Sequence, residues 1–263
     1  MSAISKNLTD EFNSIEDVIN GLEWLEKYCL ENDDLRGVFA TAYLHITRSI
    51  HHQLLQKMFI DNPWTEKYLV RFGELYRVAV VNFDRPNPSR IPKSWKISFQ
   101  TAEQKEGYVI QHLLLGINAH INHDLAIALY DVGIRTNQLD KYSDHNLVNR
   151  ILEDATDGLK SEVSAKYAPI LRNLDRAAGT LDDELINFSI PKAREHAWTF
   201  AVALTSAPDN QTRNLIKRSL DEQAAVLARL IIASPINHPK ITRTVKIAKW
   251  LDGLWLKTRK LFR

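Results

Sequence analysis

Gln111 to Leu129 reads QHLLLGINAHINHDLAIAL. Leu114, Ile121, Leu125 and Leu129 recur at helical rather than alternating spacing, which predicts a buried helix. Three of the chain's nine histidines, His112, His120 and His123, fall inside this aliphatic stretch. A polar group taken from water without a partner costs roughly 2–7 kcal/mol. The row of imidazoles therefore predicts mutual partners, a metal or a substrate. At about 100° per residue, His112, His120, His123, Asp124 and Asp131 share about one third of the circumference, which predicts a one-sided site. Asn118 and Asn122, spaced i and i+4, pair on a different face, to orient substrate or brace a neighbouring helix. Gly116 interrupts the polar arc and costs about 0.5–1 kcal/mol relative to alanine, so it marks a close approach by another backbone or a ligand.

Working outward, the same periodicity continues on both sides. Ser14 caps a helix carrying Ile15, Val18, Leu22 and Leu25, and further helices are predicted over 35–58 and 63–83. The stretch DRPNPSRIPKSW, Asp84 to Trp95, holds three prolines and predicts a loop. That loop is expected to fold over the open side of the site, with Trp95 as its apolar anchor. The histidine helix is predicted over 102–132. Ser143 and Asp144 cap a fifth helix, and more follow over 163–176, 181–188, 191–204 and 210–233. Only 95–99 alternates like a strand. The fold class is mainly α: a single-domain multi-helix bundle with a central His/Asp-bearing helix and a proline-rich loop.

The 263 residues include nine glycines and nine prolines, with no Gly/Ser-rich or Pro-rich linker to mark a boundary. The expected division is a helical domain over 1–239 and a basic amphipathic helix from Lys240 to Arg263. Cys29 is the one cysteine, and MSAISKNLTDEF has no apolar signal core, so a cytoplasmic protein is expected. No run of about 18 apolar residues predicts a membrane span. From Lys240 onward eight Lys or Arg face one Asp, a net +7 that leaves −5 for the rest. With Trp250, Leu254, Trp255 and Phe262, this tail is expected either to rest on an anionic membrane surface or to pack on the body. The acidic body and the lack of a recognised binding module argue against nucleic acid.

His120 and Asp124 form His-x-x-x-Asp, one helical turn apart and able to share a divalent ion, zinc or iron. His112 and His123 complete or orient such a site, and His196 is a further ligand candidate from another helix. His45, Asp144, Asp154 and Glu195 are also in reach of that role by type. A bound ion would lower the pKa of water to about 7 for attack on a phosphoester or lipid-like substrate. In that reading His112, His123 and Arg194 are the catalytic candidates, with Arg194 holding an anionic group. The alternative is a buried polar network in a non-enzymatic scaffold that binds a partner or membrane through its tail. Glu-x-x-His, His-Glu-x-x-His, phosphate-binding loops and the Gly-x-Ser-x-Gly elbow are absent.

The segment LLLGINAHINHDLAIAL, preceded by Gln111 and His112, resembles the signature of a bacterial domain-of-unknown-function family, number 5995. The stretch YRVAVVNFDRPNPSRIPKSWKISF, with Pro92 and Trp95, resembles that family's Pro-x-x-Trp element. Asp144 with Val148 and Asn149, and Arg194 with Ala197 and Trp198, resemble its later motifs. The likeness spans roughly 35–205 and supplies no activity; Trp95, Asp144 and Asn149, which lie in its motifs, are substrate-binding or structural candidates. His120 and Asp124 are also similar to the His-x-x-x-Asp of zinc-dependent phospholipase C and related nucleases, all-helical enzymes with multi-zinc clusters. The chain lacks the His-x-x-x-Glu those enzymes add.

Overall fold

The computed structural model describes residues 3–85, 91–167 and 189–233. These form α1 (Ala3–Asn7), α2 (Ile15–Glu31), α3 (Gly37–Leu55), α4 (Asn62–Phe83), α5 (Lys93–Glu103), α6 (Val109–Ala119), a π-helical turn (His120–Asp124), α7 (Leu125–Val132), α8 (Gln138–Tyr167), α9 (Ile190–Ser206) and α10 (Asn210–Ala233). Among the described residues there is no strand, and no helix is long and apolar enough to cross a membrane. The fold is a mainly α single-domain bundle.

Helix α2 starts where the sequence signals it. The Ser14 hydroxyl accepts from the Asp17 amide at 3.1 Å, and the Asp17 carboxylate accepts from the Ser14 amide at 3.0 Å. This reciprocal box satisfies two donors that a bare helix end would leave open. Ser14→Ala is expected to lower stability by about 1 kcal/mol, read as a lower urea midpoint with an unchanged slope.

The segment from α6 through α7 is the axis of the bundle, with α3, α4, α5, α9 and α10 packed around it. From Ile110 to Leu129 every residue is buried except Asn122 and Ile127, which are half-buried. A helix surrounded on all sides must be apolar all round, which is why so few residues here are polar. Helix α3 packs between α2 and α8 and reaches α6.

Three expectations about elements are corrected. The histidine helix does not begin at 102: α5 ends at Glu103, and Lys105 and Gly107 at φ 54° and 78° turn the chain before α6. Trp95 belongs to α5 rather than to the proline loop or a strand. Pro92 occupies the N-cap, and Trp95, Ser98, Phe99 and Ala102 are buried at helical spacing. Helix α8 starts at Gln138, before Ser143 and Asp144, and runs on through Val163. The Asp144 carboxylate instead accepts from the Ile60 and Asp61 amides, both at 2.8 Å, and so fixes the turn before α4. Most of the proline-rich loop, the helices predicted beyond Tyr167 up to 188, and the tail from Lys240 lie outside the described residues.

Candidate functional site

The polar centre is a single turn of π-helix. Its closing bond runs from the Leu125 amide to the His120 carbonyl, five residues back, and the turn reads HINHD. Such a turn inserts a residue into the α-helical register and is frequent at functional sites. Here it brings His120, His123 and Asp124 together in the buried middle of the bundle.

Asp124 is the hub, 1% exposed. One carboxylate oxygen accepts from the Trp95 indole at 2.8 Å and lies 3.1 Å from His120 Nδ1. The other lies 2.7 Å from His123 Nδ1. A carboxylate only accepts, so both imidazoles present Nδ1–H to it. Burial alone would raise the Asp124 pKa, but the hydrogen bonds from His120 and His123 outweigh it and hold the group below its ordinary value. For His120 burial dominates: it lowers the pKa against the opposing pull of Asp124. At neutral pH the pair is therefore carboxylate and neutral imidazole, and the His120 Nε2 carries a lone pair. That nitrogen is buried and has no hydrogen-bond partner among the described residues.

Aromatic rings from α3, α4 and α5 enclose His120. Phe72 stacks on it in parallel, centroids 3.5 Å apart and planes 9° off, while Tyr43 and Phe39 present themselves edge-on at 4.5 and 5.6 Å. Tyr76 and Trp95 complete the shell at 6.0 Å. Phe39 also explains Gly116. A Cβ at position 116 would lie 2.3 to 2.5 Å from Phe39 Cγ, Cδ2 and Cβ, so the close approach expected there is by a side chain. Gly116→Ala is expected to destabilise by about 1–3 kcal/mol through overpacking, outweighing the gain in helix propensity. The check is a lower urea midpoint, with a larger loss for Gly116→Val.

Beside this shell lies a cavity of about 100 Å³. Its inner wall includes His120, Tyr43, Phe72, Ile117, Tyr68 and Arg194, and half-buried Ile46, Leu152, Thr156, Leu159 and Ile190 form its outer part. At the Arg194 end, Nε donates to Asn149 at 2.7 Å, and Nη2 donates to the His145 carbonyl at 2.6 Å and its Nδ1 at 3.3 Å. Nη1 donates to the Tyr68 hydroxyl at 3.3 Å.

The other expected site residues separate. His112 is buried but sits two turns, about 12 Å along the axis, from His120, and it does not line the cavity. His196 is half-buried on α9 with its ring 4.6 Å from Phe200, off the cavity wall. Asn118 donates to the Ala224 carbonyl and accepts from Asn122, so this pair braces α10. Asp131 pairs with Arg71, His45 with Glu162, and Glu195 accepts from Tyr142. Among the described residues no three His, Cys, Asp or Glu side chains converge to hold a metal ion. Both Asp124 oxygens and both facing Nδ1 atoms are already spent on one another. Among the described residues this donor set does not make up a preformed metal centre.

The residues that the sequence reading missed are Phe39, Tyr43, Tyr68 and Phe72. Their signal was present as two aromatic i, i+4 pairs, one on α3 and one on α4, but it reads equally well as ordinary core. Comparison with curated proteins and with solved structures returns no match. The model of the family of unknown function DUF5995 matches residues 15–234, a wider span than the motifs indicated, running from α2 to the end of α10, and the chain belongs to that family.

Proposed function

We propose that the protein binds a small, mainly apolar, lipid-like molecule in the cavity beside α3 and acts on it as an acid–base hydrolase, with His120 as the base. One observation carries this reading: the His120 Nε2 is buried without a partner beside an otherwise largely apolar cavity, while its Nδ1 is fixed on Asp124. An unsatisfied buried acceptor is costly, and a ligand or water donor at Nε2 removes that cost. A carboxylate behind the imidazole fixes the tautomer and stabilises the imidazolium that forms when Nε2 takes a proton. Water that gives its proton to Nε2 attacks the substrate carbonyl, and the same proton then passes to the leaving alcohol.

The test is turnover of p-nitrophenyl butyrate by the purified full chain. Activity that falls by about 10²–10⁴ in His120→Gln, with the variant still folded, supports the reading. Equal rates in both proteins would sink it. Zinc or iron found by elemental analysis, and lost in His120→Gln, would instead favour the metal-dependent form of the hydrolase.

The alternative is a binding scaffold. It is favoured by the internal satisfaction of Asp124, whose three donors come from its own bundle. In either reading the +7 tail from Lys240 to Arg263 is proposed to rest on anionic membrane. Vesicle sedimentation at low and high salt is expected to show binding that needs anionic lipid and weakens as salt rises.

A further inference from the structure

Arg194 is 2% exposed at the cavity wall, and among the described residues no carboxylate pairs with it. Its four hydrogen bonds go to the Asn149 amide oxygen, the Tyr68 hydroxyl, and the carbonyl and Nδ1 of His145. None of these acceptors carries a negative charge. His145 is kept neutral first by burial and then by the Arg194 charge, which together hold its pKa well below the ordinary value. The acidic groups on neighbouring turns are engaged elsewhere: Asp144 on the Ile60 and Asp61 amides, Glu195 on Tyr142. A cation buried without a counter-charge is unfavourable, and proteins otherwise pair such groups.

The donor geometry is as informative as the charge. A guanidinium has five N–H groups, so four bonds leave one N–H on Nη1, the nitrogen beside Tyr68. The Tyr68 hydroxyl accepts from Nη1, and no acceptor among the described residues takes its own proton. Both Arg194 and Tyr68 line the cavity. The wall thus offers one cation and two adjacent donors, N–H and O–H, at the end of an apolar space.

We propose that the cavity holds a short-chain carboxylate, the class of acid that ester hydrolysis beside His120 releases. Its two oxygens take the free Nη1–H of Arg194 and the O–H of Tyr68, and its hydrocarbon chain lies along Ile117, Leu152 and Leu159. This rests on the reading of the cavity as a small-molecule site and adds the chemical class of the molecule. The space of about 100 Å³ is smaller than the roughly 150 Å³ cavity that takes benzene, which limits the enclosed part to a few carbons. A single cation matches a carboxylate monoanion better than a phosphate dianion.

The experiment is isothermal titration of the full chain with hexanoate, hexan-1-ol and hexyl phosphate, repeated with Tyr68→Phe and Arg194→Gln. Tyr68→Phe keeps the ring and its packing, so it remains informative if Arg194→Gln does not fold. Hexanoate is expected to bind at least about tenfold more tightly than hexan-1-ol and to lose about tenfold or more in Tyr68→Phe, as for loss of a hydrogen bond to a charged group. Hexan-1-ol affinity should stay nearly unchanged in that variant. Hexan-1-ol binding as well as hexanoate, or hexyl phosphate binding more tightly, overturns the carboxylate assignment and leaves the cavity reading standing. Binding of none of the three overturns both.

Discussion

Replacement of Asp124 by alanine is expected to destabilise the protein by about 3–5 kcal/mol, the lower part of the range for leaving three buried donors unsatisfied at about 1–3 kcal/mol each. The carboxylate accepts from Trp95 at 2.8 Å and faces His120 and His123 at 3.1 and 2.7 Å. Its removal leaves three donors without their acceptor in the centre of the bundle, and two of them stand on the π-helical turn itself. Asp124→Asn is the sharper variant. It keeps the volume, but its amide nitrogen meets a donor where an acceptor is needed, so one imidazole must change tautomer or lose its bond. Urea denaturation should give Asp124→Ala as the less stable of the two, both well below wild type. A loss under about 1 kcal/mol in Asp124→Ala would mean that the hub contributes no more than an ordinary hydrogen bond, and the polar centre would then not organise the fold.

The degree to which this centre was legible differs residue by residue. Helical periodicity located α9 and α10 to within two residues, because both carry an apolar stripe bounded by clear turn residues. It also paired Asn118 with Asn122 correctly. A helical wheel assumes a constant 100° step, however, and the π turn over His120–Asp124 breaks that step where the site lies. Asp131 lies beyond that break and pairs with Arg71, whereas His112 precedes it and is misgrouped because a wheel ignores the two turns of axial distance to His120. Trp95 reads as an anchor but as part of a loop, since three preceding prolines mask the helical spacing that begins just after Pro92. The aromatic shell and the Arg194 partners arise from packing between helices distant in sequence: Tyr68 and Arg194 are 126 residues apart. Nothing in local spacing encodes that contact.

Stability is expected to fall steeply as pH is lowered from 7 towards 5. His120 and His145 are both held below their ordinary pKa, each first by burial. The native state therefore resists protons that the unfolded chain takes up as pH passes below about 6.5. Wherever the unfolded state binds more protons, stability rises with pH, so acidification must destabilise. Each histidine contributes up to about 1.4 kcal/mol per pH unit, from the unfolded value down through its own native pKa. The two together give a slope of up to about 2.7 kcal/mol per unit, larger than any surface carboxylate supplies in this range. Asp124, whose pKa is lowered, adds its own loss only below about pH 4, where the unfolded carboxyl begins to bind a proton. Urea unfolding at pH 5, 6, 7 and 8 measures the slope. The His120→Gln variant, which cannot be protonated in this range, should show about half of it if it keeps the native packing. A flat profile between pH 7 and 5 would mean that His120 and His145 accept protons in the folded state. The neutral imidazole on which His120 depends as a base would then be lost below neutrality.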